Sequence, residues 1–270
     1  MGLILCRKNE VRTPLYSKTL ATAIYSYEEL SFLIYENPIL ATEDLVNEEL
    51  ISFIRDELGM STFGDWLALQ KKRGMKEEDL LIHILEYGDL YSNAEVIAFR
   101  SALARQKQLT EREILQKKAD FMFRVGRYAL AARYYQHLID STEQKEGEEL
   151  GEIYHDLASA YANLFRFDLA FENYKMAYEI LEDEEILKKM YFLTLMEPEI
   201  PEARLPKLPQ EGTKENWDND YEAALNRANA SEQVQGVGEI FAETSQRKQR
   251  ARAAETLQQW KKEYRNMVST

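Results

Sequence analysis

The chain has 270 residues, with 34 Lys and Arg against 47 Asp and Glu, a formal net charge of −13, and 45% hydrophobic residues; a chain of this size buries most of its unfolded surface without staples. One cysteine, Cys6, and three histidines exclude an internal disulfide framework and any multi-cysteine metal site, and fit a reducing compartment. Eleven Gly and six Pro are too few for an all-β chain, which needs a turn signal every ~8–12 residues, so an all-α class is expected.

The start, Met1 to Cys6, lacks a cationic region followed by an apolar run, and no secretory or lipid-attachment signal is read from it. Leu3 to Cys6 is expected to be one extended segment. The longest uncharged apolar-leaning stretch, Thr19 to Tyr27, falls far short of the ~18 apolar residues of a membrane span, and a cytoplasmic protein is expected. Helix starts follow from capping boxes, in which a Ser or Thr and a Glu three residues on satisfy each other's backbone N–H groups: Ser26 with Glu29, Ser92 with Glu95, Thr110 with Glu113. Apolar residues at helical spacing after Ser26 stop at Asn37-Pro38; a second run from Leu45 to Leu58 stops at Gly59; helices over Thr62–Lys72 and Lys76–Tyr87 stop at Gly74 and Gly88. No Gly or Pro interrupts the chain between Gly88 and Gly126, which leaves room for two helices breaking near Gln106 to Leu109. Residues 1–110 thus read as an N-terminal helical region.

Between Lys117 and Met196 small and aromatic residues recur. Ala119, Met122, Gly126, Tyr128, Ala131, Tyr135 and Leu138 are followed 39 positions later by Ala158, Tyr161, Phe165, Phe167, Ala170, Tyr174 and Ala177. Alanines let paired helices approach while aromatic rings fill the holes beside them. The pattern resembles the tetratricopeptide repeat, a 34-residue helix-turn-helix unit, with five extra residues in the acidic loop Ser141 to Leu150. Phe165 stands where that family has Gly, and Leu138 where it has Ala. A third copy starts at Glu184 with Ile186, Leu187, Met190 and Leu193, and Pro198 leaves it as a single capping helix. Segments of the N-terminal region, such as Val46-Asn47-Glu48-Glu49-Leu50, resemble uncharacterised proteins of anaerobic Gram-positive bacteria.

The repeat resemblance implies helical hairpins stacked as a short array over residues 111–197, with an inner face that holds a peptide or a helix of another protein. That groove would be lined by Gln116, Asp120, Phe123 and Arg124 from the first copy and Glu152, His155, Ser159 and Asn163 from the second. Family members that clamp a chaperone's terminal carboxylate use Lys and Asn where this chain has Gln116 and Asp120, so that partner is not expected. Catalysis and metal binding find little support. Glu152, His155 and Ser159 share one helical face, but known triads draw their members from separate elements so that the nucleophile faces an oxyanion hole. The Glu152–His155 Glu-x-x-His pair occurs once where a di-iron bundle needs two. Gly236-Val237-Gly238 lacks the remaining signs of a phosphate loop and reads as a joint. A non-enzymatic chain without cofactor is expected.

Four prolines, Pro198, Pro201, Pro206 and Pro209, mark residues 198–215 as a linker. The tail, residues 216–270, ends in a cationic helix: from Thr244 to Thr270 seven basic residues face Glu255 and Glu263. Leu257, Trp260, Tyr264 and Met267 form its apolar stripe, and Arg247, Arg250, Leu257, Trp260, Lys261 and Tyr264 are the expected contact residues. The stripe suits a protein partner, a second copy, or the chain's own body, which holds 11 basic and 19 acidic residues over 111–200. A regulatory protein whose cationic helix touches nucleic acid or an anionic surface is the alternative, opposed for nucleic acid by the overall negative charge.

Overall fold

The structure is a computed structural model that describes residues 11–17, 22–38, 45–106, 108–141, 147–207 and 212–268. Among the described residues it is all-α apart from one short hairpin, and the chain divides into two compact units, Met1–Ile114 and Leu115–Thr270. The extended segment expected at Leu3–Cys6 and most of the acidic loop after Ser141 lie outside the described residues. Among the described residues no helix is long and apolar enough to cross a membrane.

The first unit opens with an antiparallel strand pair, β1 (Leu15–Ser17) and β2 (Thr22–Ile24), in which Leu15 faces Ile24. Three-residue strands carry too few alternating positions to be read from sequence, and both apolar ends of this pair are buried. Helix α1 (Tyr27–Glu36) starts where Glu29 N–H donates to Ser26 Oγ at 3.1 Å and ends at Asn37. Helix α2 (Glu48–Ser52) is capped by Asn47, whose Oδ1 accepts from Leu50 N–H at 2.9 Å, and runs into a widened π-type turn over Phe53–Glu57. The widening brings both Phe53 and Ile54 into the core before Gly59 stops the helix at φ 69°. Helix α3 (Ser61–Lys72) passes so close to that turn that a Cβ on Gly64 would lie 2.5 Å from Arg55 Cβ. Helix α4 (Glu77–Tyr87) buries Leu80, Leu81, Ile82, Ile84 and Leu85 at the centre of this core. Helix α5 (Asn93–Gln106) carries the full Ser92–Glu95 capping box.

Helix α6 (Glu111–Arg124), opened by the Thr110–Glu113 box, leads into the second unit. There α7 (Tyr128–Asp140), α8 (Glu148–Asn163), α9 (Phe167–Leu181) and α10 (Glu184–Met196) follow as stacked antiparallel hairpins. Ala119, Ala131, Ala158 and Ala170 are fully buried, as expected where backbones approach. Gly151 makes a further close approach, since a Cβ there would lie 2.6 Å from Leu181 Cγ.

The linker and tail differ from the sequence reading. After the single turn Glu202–Arg204, helix α11 (Thr213–Asn229) packs back on α10. Trp217 is 5% exposed and shares a core with Ile200, Leu187 and Tyr191. Tyr191 hydroxyl donates to Asp218 at 2.5 Å, and Lys188 Nζ donates to Asp220 at 2.7 Å. So α10 gains a hairpin partner from beyond the prolines, which break helix but leave the chain free to return. Gly236 and Gly238 do not form a joint: both lie inside α12 (Glu232–Ala242), capped by Ser231. Helix α13 (Gln246–Val268) runs back along α12, with Arg252 paired to Glu239 at 3.0 Å, and its last turns reach α7.

Candidate functional site

The two repeat copies make equivalent bonds. Tyr135 hydroxyl donates to Asp120 Oδ1 at 2.8 Å, and 39 positions on the hydroxyls of Tyr174 and Ser159 lie 2.9 Å apart. The turns match too. Arg127 N–H donates to Met122 O at 2.8 Å after Gly126 at φ 76°, and Arg166 N–H donates to Tyr161 O at 2.9 Å after Phe165 at φ 58°. Both are left-handed helix ends closed by a six-to-one bond. Phe165 thus adopts the backbone that Gly126 supplies freely, with its ring 69% exposed.

Among the expected groove residues, Asp120 lies beside buried Tyr135; loss of solvation raises its carboxyl above the ordinary range, with the Tyr135 hydrogen bond acting against that rise. Burial, then the bond to Asp120, pushes the Tyr135 phenol up. Arg124 stacks over Phe121 at 5.4 Å, and Phe123 meets Tyr128 edge to face at 5.2 Å. Gln116 is half-buried and Glu152 exposed. His155 Nδ1 lies 3.1 Å from Asp156 Oδ1, and its Nε2 lies 2.5 Å from Lys189 Nζ. An ammonium has only protons to give, so Nε2 accepts and Nδ1–H donates to Asp156, which makes the imidazole neutral. Ser159 Oγ donates to His155 O at 3.0 Å, and Asn163 Nδ2 donates to Ser159 O at 2.8 Å. The helical face that invites a triad therefore holds no bond between the imidazole and the Ser159 hydroxyl.

Lys189 and Asp156 were not read as groove residues. Lys189 lies 34 positions after His155, the same place in the third copy, so carrying the register one unit further finds it. Its ammonium also sits 5.8 Å from the centre of the Tyr174 ring, and among the described residues it has no carboxylate partner.

The tail contact residues all stay exposed on α13. Trp260 lines a cavity with Gly236, Val237 and Ile240 of α12 yet stays exposed, as do Leu257, Tyr264, Arg247, Arg250 and Lys261. The end of α13 meets the array: Asn266 Nδ2 donates to Val125 O at 3.4 Å. Glu263, Asn266 and Met267 share a cavity of about 520 Å³ with Gly126, Tyr128, Ala162, Asn163, Phe165, Phe167, Leu193 and Met196.

Comparison with family models, with curated proteins and with solved structures finds no match for this chain.

Proposed function

We propose that the chain is a non-catalytic adaptor whose tetratricopeptide-like hairpin array binds a peptide or helix of another protein. The observation that carries this reading is Lys189, a half-buried ammonium beside His155 and over the Tyr174 ring, with no carboxylate partner among the described residues. Such a group is pre-oriented for an acidic side chain and loses little rotamer freedom on pairing. Full-length protein and its Lys189→Glu and His155→Ala variants, each immobilised and exposed to source lysate, test the assignment. A partner retained by the parent and lost with Lys189→Glu is expected; an unchanged set of bound proteins on all three overturns it.

A second reading has its own observation. Arg247, Arg250, Leu257, Lys261 and Tyr264 lie on one outward face of α13, with the apolar members of that face exposed. That face fits an anionic surface, and binding to anionic vesicles or nucleic acid that weakens steeply with added salt supports it.

A further inference from the structure

We infer that the aromatic cavity between α3 and α4 binds a small quaternary ammonium group of the kind that choline carries. The site lies wholly within the first unit, apart from the helical array, and does not rest on the adaptor reading.

The cavity holds about 420 Å³ and is lined by Thr62, Phe63, Trp66, His83, Glu86 and Tyr87, a size within the about 300 to 1,000 Å³ of small-molecule sites. Helical spacing assembles it. Phe63 and Trp66 stand three apart on α3, and His83, Glu86 and Tyr87 stand at i, i+3 and i+4 on α4. The buried face of α4 is wholly aliphatic, formed by Leu80, Leu81, Ile82, Ile84 and Leu85, so rings and an acid on its cavity side are a change of chemistry, not of apolarity alone. Aliphatic walls would serve a neutral apolar ligand equally well. Ring faces carry partial negative charge and add attraction for a cation.

The rings are held before any ligand arrives. Tyr87, half in solvent, stacks on buried Phe63 with centres 4.0 Å apart, and Trp66 lies 10° from the Phe63 plane with centres 6.0 Å apart. His83 meets Trp66 edge to face at 4.9 Å, and Tyr27 meets Tyr87 in the same manner at 6.3 Å. Tyr27 can come that close because residue 88 is glycine: a Cβ on Gly88 would lie 2.4 Å from Tyr27 Cε1. The lining has one carboxylate, Glu86, and no Lys or Arg. His83 Nδ1–H donates to Glu86 Oε2 at 3.0 Å and orients that carboxylate, while Arg100 stays 3.9 Å from its other oxygen and outside the lining. A quaternary ammonium has no N–H to satisfy, so rings and one carboxylate meet its needs; a primary ammonium would bring three donors to a wall with few acceptors.

The test uses the full chain and two probes of the same shape, choline and its uncharged analogue 3,3-dimethylbutan-1-ol, titrated at constant ionic strength and read by saturation-transfer NMR on their methyl protons. Choline should bind the parent at least about fivefold more tightly than the alcohol. Trp66→Leu, which keeps the wall apolar, should weaken choline by about fivefold or more and leave the alcohol unchanged, and Glu86→Gln should weaken choline alone. Circular dichroism checks each fold. If Trp66→Leu does not fold, Glu86→Gln and Tyr87→Leu decide, since both side chains are substantially exposed. Equal affinity for the two probes overturns the inference, because the cavity is then merely apolar. So does the absence of choline binding, or choline affinity that survives in every folded variant, which would place the cation elsewhere on the chain.

Discussion

The paired turns at Gly126 and Phe165 allow the backbone cost to be isolated. A Cβ added at Gly126 meets nothing within 4 Å, so Gly126→Ala changes only the conformational energy of a residue at φ 76°. Forcing an L-residue there costs about 1 to 2 kcal/mol, and the stiffer unfolded chain returns about 0.4 to 1 kcal/mol only where the native φ is compatible, which it is not. Net destabilisation of about 1 kcal/mol is expected. Phe165→Gly runs the other way. It relieves the same strain, gives up about 0.5 to 1 kcal/mol in chain entropy, and loses the Phe167 edge contact, about 0.5 kcal/mol at so exposed a site. The terms nearly cancel, so removing a whole aromatic ring should shift stability by less than about 0.5 kcal/mol. By contrast, Phe171, which is fully buried, should cost about 3 to 5 kcal/mol on truncation to Ala. Urea unfolding followed by circular dichroism measures all three. A loss above about 1.5 kcal/mol for Phe165→Gly would mean the ring is a packing element, and the strain argument would fail.

Other outcomes follow from single contacts. Tyr135→Phe, which strips a partly buried bond to a carboxylate, should cost about 1.5 to 3 kcal/mol in urea unfolding, more than the ~0.5 to 1.5 kcal/mol of Tyr174→Phe, which strips a neutral one. Gly64→Ala would press its Cβ into the Cα and Cβ of Arg55, at 2.9 and 2.5 Å, and should lower the stability of the first unit by about 1 to 3 kcal/mol or more. The pH response of Asp120 has a defined sign. Its folded-state carboxyl titrates above the ordinary 3.8, so its favourable contribution is complete below that value and is lost as pH rises through the folded pKa. Asp120→Asn should therefore gain on the parent between about pH 3.5 and neutrality; a constant difference across that window, measured by urea unfolding, would contradict the assignment.

Much of the helical framework is legible because its signals are local. The boxes at Ser92 and Thr110 close as their spacing requires, and a 39-residue offset read from alanines and rings places Tyr135 on Asp120 and Tyr174 on Ser159. What escapes the sequence depends on partners far along the chain. Trp217 is drawn to Tyr191 across a proline-rich segment, and prolines report only that helix stops, not where the chain goes next. The glycines of α12 are absorbed because Ser231 starts the helix and α13 runs beside it, a tertiary override of propensity. The widened turn at Phe53–Glu57 has no local signature, since it arises from two core residues sharing one face. Within the candidate groove, His155 and Ser159 were legible as neighbours on one face, while the partners that fix their roles, Lys189 and Tyr174, come from other helices.

Those partners bear on how a ligand would be read. With Nδ1–H given to Asp156 and Nε2 accepting from Lys189, His155 has no ring nitrogen left for a peptide. Its effect is on Lys189: a neutral acceptor anchors the ammonium without cancelling its charge, as a carboxylate in the same place would.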